Sequence, residues 1–144
     1  MDSRLLNILL DSFPRILLPG LTMTLPLTAI AFSIAMVIAV AAALAQFARV
    51  PVITQICRLY IWIFRGTPLL VQLFVVFYGL TKVGITLAPF PAAVLVFSLN
   101  EGAYCAETVR ASLEAVPAGQ LEAGLCAGLS YLQTMRRIIL PQAM

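Results

Sequence analysis

Between Arg15 and Arg49 the chain carries no charged residue: residues 16–48, 33 in a row, are uncharged and mostly apolar. A helix needs roughly 20 apolar residues to cross about 30 Å of hydrocarbon. A signal-peptide core is about 7–15 residues long and follows a basic stretch, so this run is too long and its flank is wrong. Composition points the same way: 62% of the chain is hydrophobic, 10% is charged and the mean hydropathy is +1.02. Nine basic and six acidic residues could not cover a globular surface in water, where about 25% of residues are charged. A soluble enzyme, a disordered segment and a nucleic-acid binder are thereby excluded; the expected solvent is lipid.

The net charge of +3 and pI near 9.0 fit the Lys and Arg that helical membrane proteins collect in cytoplasmic loops. Cys57, Cys105 and Cys126 form no C-x-x-C pair, and the chain has no histidine. A zinc site, a disulfide framework and a histidine triad therefore lack their parts. No metal, no cofactor and no catalytic residue is expected, and the cysteines read as small buried thiols.

The pattern predicts an all-α membrane protein with three spans. The first covers about 21–47, beginning at Pro19-Gly20 with Pro26 inside. The second covers about 57–80, and the third about 91–115. In the second, Arg65-Gly66-Thr67-Pro68 loosens the helix, because proline removes a donor and crowds the carbonyl four residues back. A kink is expected there, either lining a cavity or serving packing alone. Basic residues near the span ends number three on one side (Arg4, Arg15, Lys82) and six on the other (Arg49, Arg58, Arg65, Arg110, Arg136, Arg137). The N-terminus is therefore expected outside.

At 100° per residue, Asn100, Tyr104, Glu107, Arg110 and Glu114 fall within about 120° of one another on the third span. Such a stripe must face protein or water. Glu107, Arg110 and Glu114 have the spacing of a structural ion-pair network. Glu101 lies off that stripe, about 15 Å into the helix. At that depth an acidic group costs roughly 2.5–3.5 kcal/mol. It is either a solute-path residue that attracts a cation or amine, or a protonated carboxyl bonded between helices. Asn100, Glu101 and Tyr104 are the candidate path residues.

After Pro117, Leu121, Leu125 and Leu129 recur at helical spacing, with Ala123, Gly124, Ala127 and Gly128 opposite. Two glycines in one turn oppose helix formation. A small-residue face instead allows close backbone approach; the alternative is a helix lying on the membrane surface. Gly128 can end this helix, and Ser130-Tyr131-Leu132-Gln133 fits the S-x-x-Q capping box of a new one.

Glu122-Ala123-Gly124, three residues, Gly128, nine residues, Ile138 and Leu140-Pro141 resemble the EAA motif of binding-protein-dependent ABC importer permeases. Phe64-Arg65-Gly66-Thr67-Pro68-Leu69-Leu70 with Gln72-Leu73-Phe74 resembles the polar amino-acid subfamily. So does Leu99-Asn100 through Ala103-Tyr104, Ala106-Glu107 and Arg110. Gly124 departs from the motif's second alanine but keeps the face small. The resemblance implies a type I importer permease fold, with segment 117–129 a cytoplasmic coupling helix docked on an ATP-hydrolysing subunit. Glu122, Ala123, Gly124, Ala127 and Gly128 would serve that coupling. It also implies a second permease copy or relative, an extracytoplasmic solute-binding protein and a place in the bacterial cytoplasmic membrane. Nucleotide chemistry would belong to the partner, since the chain has no G-x-x-x-x-G-K-[ST] loop. Family members continue through roughly two more spans, so the 144 residues read as one permease domain, its front part, with the next helix beginning over 131–144. A non-transporting membrane protein that docks an ATPase or permease is the competing expectation. A small channel using the Asn100 and Glu101 face is a third.

Overall fold

The computed structural model describes residues 3–48 and 50–143. Arg49 and Met144, used above in the charge count and in the last helix, lie outside the described residues. Every regular element is helical, with no strand among the described residues.

Helix α1 (Ser3–Pro19) passes through a wider π-type turn at Gly20–Thr24 into α2 (Leu25–Phe47). The expected start at Pro19-Gly20 is therefore not a start. The π-type turn lies between Pro19 and Pro26, where the two prolines lack donors, and the Thr22 hydroxyl donates to the Leu18 carbonyl at 2.8 Å. Within this rod Asp11–Phe47, 37 residues, is apolar enough to cross a membrane and measures about 55 Å at 1.5 Å per residue.

Helix α3 (Pro51–Gly66) is followed by α4 (Leu69–Phe74), a π-type turn at Val75–Gly79 and α5 (Leu80–Lys82). The expected kink is a corner: the two rods, Pro51–Gly66 and Leu69–Lys82, meet at 104°. Proline pushes the preceding residue out of the helical region. Thr67 is accordingly extended (φ −119°, ψ 139°), and Pro68 follows at ψ 137°.

Helix α6 (Pro89–Ala115) has 27 residues, about 40 Å, and starts with Pro89 and Pro91 in its first turn, where proline is tolerated. Helix α7 (Ala118–Cys126) comes next. Then α8 (Tyr131–Thr134), a π-type turn at Met135–Ile139 and α9 (Leu140–Ala143) form one further rod. This rod continues past Pro141, because the wider turn lies just before the proline.

The core is a seam of small side chains between α2 and α6. Ala31, Ala35, Ala39, Ala42 and Ala43 are buried on α2, facing Gly102, Ala103 and Ala106 on α6. The two helices run in the same direction: Ala31 shares a hollow with Phe97, and Phe47 shares one with Leu113. In lipid no hydrophobic force separates helix from solvent, so small residues that bring backbones close supply the packing. Large apolar side chains point outward, Val37 71% and Val75 63% exposed, as a lipid-facing surface requires. Cys57 and Cys105 are half-buried beside the seam, but Cys126 is exposed on α7, against the expectation of a buried thiol.

Candidate functional site: a stapled corner, two hollows and a returning helix

The corner between α3 and α4 frees backbone carbonyls that lipid cannot satisfy. Gln72 does so. Its amide nitrogen lies 2.9 Å from the Phe64 carbonyl, 3.0 Å from the Thr67 carbonyl and 2.8 Å from Thr67 Oγ1, its two N–H groups shared among them. Asn100 Nδ2 on α6 donates to Gln72 Oε1 at 3.1 Å and to the Phe64 carbonyl at 3.3 Å. One helix turn earlier on α3, the Tyr60 hydroxyl donates to the Leu99 carbonyl at 2.5 Å. Sequence reasoning singled out neither Tyr60 nor Gln72 as a site residue. The available signal was a lone glutamine in an otherwise apolar stretch, where a polar group must have a partner.

A hollow of about 270 Å³ opens on one side of this staple, lined by Thr28, Phe32, Leu69, Phe97, Asn100 and Glu101. Glu101 is exposed, and its Oε1 accepts from Cys105 Sγ at 3.3 Å. That partner is one turn along the same helix, and among the described residues Glu101 makes no interhelical hydrogen bond of the kind the alternative reading expects. A second hollow of about 440 Å³ is lined by Gln46, Arg58, Trp62, Arg65, Tyr104 and Glu107. The three candidate path residues are thus divided, with Asn100 and Glu101 in the first hollow and Tyr104 in the second. Asn100 is also committed to the staple.

Glu107, Arg110 and Glu114 form the expected network: Arg110 pairs with Glu107 and reaches Glu114 at 2.6 Å. The structure adds Arg65, whose guanidinium is 3.9 Å from Glu107 and 5.3 Å from the centre of the Tyr104 ring, within cation–π range. Arg65 and Gly66 of the break line the second hollow, and Leu69 just beyond it lines the first.

At the far end of α6, Val116 and Pro117 are extended and lead into α7, where Glu122, Ala123 and Ala127 are exposed. The helix closes in a Schellman motif: Leu129 N–H donates to the Gly124 carbonyl at 3.1 Å, and Gly128 N–H to the Leu125 carbonyl at 3.0 Å. This geometry needs a left-handed residue, and Gly128 has φ +82°. The capping box follows at once, Gln133 N–H donating to Ser130 Oγ at 3.3 Å and Ser130 N–H to Gln133 Oε1 at 2.9 Å.

Gly124 requires a correction. Unlike Ala123 and Ala127, it is buried, and a Cβ there would meet Thr134 Cγ2 at 2.4 Å. The close approach that its small size permits is to α8 of the same chain, so Gly124 is not on the face open to a partner. The leucine stripe divides likewise: Leu121 packs against the cluster of Ala43, Leu113, Met135 and Ile139, whereas Leu125 is 47% exposed.

An all-helical body with an apolar outer surface, broken at mid-helix beside largely apolar hollows that each carry a few polar or charged side chains, is the build of a membrane-embedded subunit. The chain belongs to the family described as binding-protein-dependent transport system inner membrane component, which matches residues 35–144; it is a bacterial membrane protein. It is 47% identical to an L-cystine transport system permease protein of Bacillus subtilis, over 92% of this chain and 57% of that protein. A probable amino-acid ABC transporter permease protein of Vibrio harveyi is 40% identical over 95% of this chain and 62% of that one. A crystal structure of an amino acid ABC transporter with histidines superposes with a TM-score of 0.82 at 36% identity, covering 93% of this chain and 63% of that one. The chain thus spans about three fifths of the length of these relatives.

Proposed function

We propose that the chain is a permease component of an ATP-driven importer of polar amino acids, coupled through α7 to a separate ATPase subunit. In this reading a second permease copy or relative completes the path, and an extracytoplasmic binding protein delivers the solute. The observation that carries it is the exposed Glu122 on a short helix whose C-terminal end is held within the chain by the Schellman motif and capping box. A carboxylate on an exposed rod whose exit is held in this way can transmit displacement from a partner. The identities to permeases of L-cystine and other amino-acid systems support the solute class. In this reading three spans over about 21–47, 57–80 and 91–115, with the N-terminus outside, put α7 on the ATPase side. Asn100, Glu101 and Tyr104 then line the path, and the Glu107–Arg110–Glu114 network braces α6 towards the cytoplasm.

The test is ATP-dependent solute uptake by the chain reconstituted in vesicles with its ATPase subunit and binding protein. Glu122→Lys is expected to weaken ATPase binding roughly 30-fold or more, the lower end of the 2–5 kcal/mol cost of breaking a bonded interfacial charge pair, and to abolish uptake. Binding of the ATPase by the unsubstituted chain without any uptake would establish the non-transporting reading instead.

A further inference from the structure

Helix α7 is held very differently on its two sides. Towards the rod of α8 and α9 it has no slack: the backbone at Gly124 leaves no room for a methyl group, since a Cβ would lie 2.4 Å from Thr134 Cγ2 and 2.8 Å from Thr134 Oγ1. Thr134 is fully buried. Gln142 Nε2 donates to Gln120 Oε1 at 3.3 Å, a second tie between the same two elements. Towards α6 there is a hollow of about 560 Å³, bordered by Leu113, Val116, Pro117, Leu121, Tyr131 and Ile139. The only covalent link there is the extended Val116-Pro117 pair, with one long backbone bond from Val116 N–H to the Leu113 carbonyl at 3.4 Å.

Packed interfaces move as rigid units, and motion concentrates where contacts are few. We propose that Gly124 and Thr134 form a latch that makes α7 and Tyr131–Ala143 one mechanical unit, hinged on α6 at Val116-Pro117. This rests on the reading of α7 as the ATPase-coupling element. Displacement of α7 is delivered first to the α8–α9 rod, whose Met135 and Ile139 pack with Leu113 of α6; the Val116-Pro117 link and Leu121 are its direct connections to α6. Gly124 and Thr134 are positioning residues: neither touches the solute or the nucleotide. The glycine in place of the motif's second alanine matches the threonine opposite it. Thr134 Oγ1 has no hydrogen-bond partner among the described residues, so shortening Thr134 removes an unpaired buried hydroxyl and relieves the same contact.

The test compares Gly124→Ala, Thr134→Ala and the double variant in vesicles with the ATPase subunit and binding protein, reading solute carried per ATP hydrolysed. Alanine is the better helix former, so a loss in Gly124→Ala comes from crowding against the rod, by Thr134 first and by the movable end of Ile138 at 3.2 Å second. Gly124→Ala is expected to lower solute per ATP about tenfold while the ATPase subunit remains bound, and Thr134→Ala in the same chain to restore it to within about twofold. A normal ratio in Gly124→Ala, or a loss that Thr134→Ala does not repair, overturns the latch while leaving the permease reading standing. Absence of uptake in the unsubstituted chain refutes the permease reading itself and the latch with it. Independently of any folding defect, spin labels on Cys126 and Arg136→Cys should keep their separation within about 1 Å between nucleotide states. Labels on Cys126 and Ala111→Cys should shift by about 2 Å or more. Equal shifts in both pairs also overturn the latch.

Discussion

Gly102→Ala probes the α2–α6 seam on which both hollows depend. A Cβ at this buried position would lie 3.0 Å from Tyr60 Oη, 3.2 Å from Ile38 Cγ2 and 3.3 Å from Ile38 Cβ. Ile38 cannot yield by rotating, because its Cβ is fixed to the backbone and its χ1 is stiff in a helix. Tyr60 is held by the 2.5 Å hydrogen bond to the Leu99 carbonyl and by the Phe64 ring at 5.0 Å. Overpacking of this kind costs about 1–3 kcal/mol, and the helix preference of alanine returns up to about 1 kcal/mol. The expected net destabilisation is about 1–2 kcal/mol. Tyr60→Phe removes the nearest obstructing atom together with a hydrogen bond worth about 1 kcal/mol. The double variant should therefore cost less than the sum of the two single ones, by at least about 0.5 kcal/mol. Unfolding by SDS in mixed bicelles, followed by the fluorescence of Trp62, measures all four proteins. A neutral Gly102→Ala, or strict additivity in the cycle, would refute the seam as described.

Arg110→Gln strands Glu107 and Glu114, leaving among the described residues the 3.9 Å contact from Arg65 to Glu107. Since the Glu114 side chain is 55% exposed, the expected loss is about 1–2 kcal/mol, below the cost of breaking a fully buried pair. Addition of Glu107→Gln should recover part of it in the same unfolding measurement. Gly128→Ala forces a Cβ into the left-handed region and should cost about 1–2 kcal/mol, with Gly128→Asn milder; limited proteolysis around residues 127–131 reads the loosened corner. Glu101→Gln should lower uptake about tenfold with the complex still assembled, as loss of a charge–charge contact worth about 1.4 kcal/mol would; unchanged kinetics would remove Glu101 from the path.

Features written in neighbouring residues were legible without a structure. The capping box of Ser130 and Gln133 and the left-handed Gly128 depend on groups within a few residues of each other. The ion pairs of Arg110 follow from helical spacing along a single helix, which periodicity reports directly. The Thr67-Pro68 break was visible as a kink, but its 104° turn was not. Proline dictates only that Thr67 be extended; the angle is held by Gln72 and by Asn100, which is 28 residues away. Tyr60 and Leu99 are 39 positions apart, and no local pattern pairs them.

Legible along the chain were a helical membrane protein, its break, its polar stripe and its returning corner, in that order, and a resemblance of its motifs to importer permeases. Those signals are hydropathy, period and motif spacing, each set within one segment. Only the tertiary structure decided which faces meet: Gly124 turns inward onto Thr134, Arg65 joins the stripe through Glu107, and the candidate path residues fall into two separate hollows. In lipid the hydrophobic effect does not choose between helix faces; steric fit and hydrogen-bond satisfaction between distant segments do, and a linear reading contains neither.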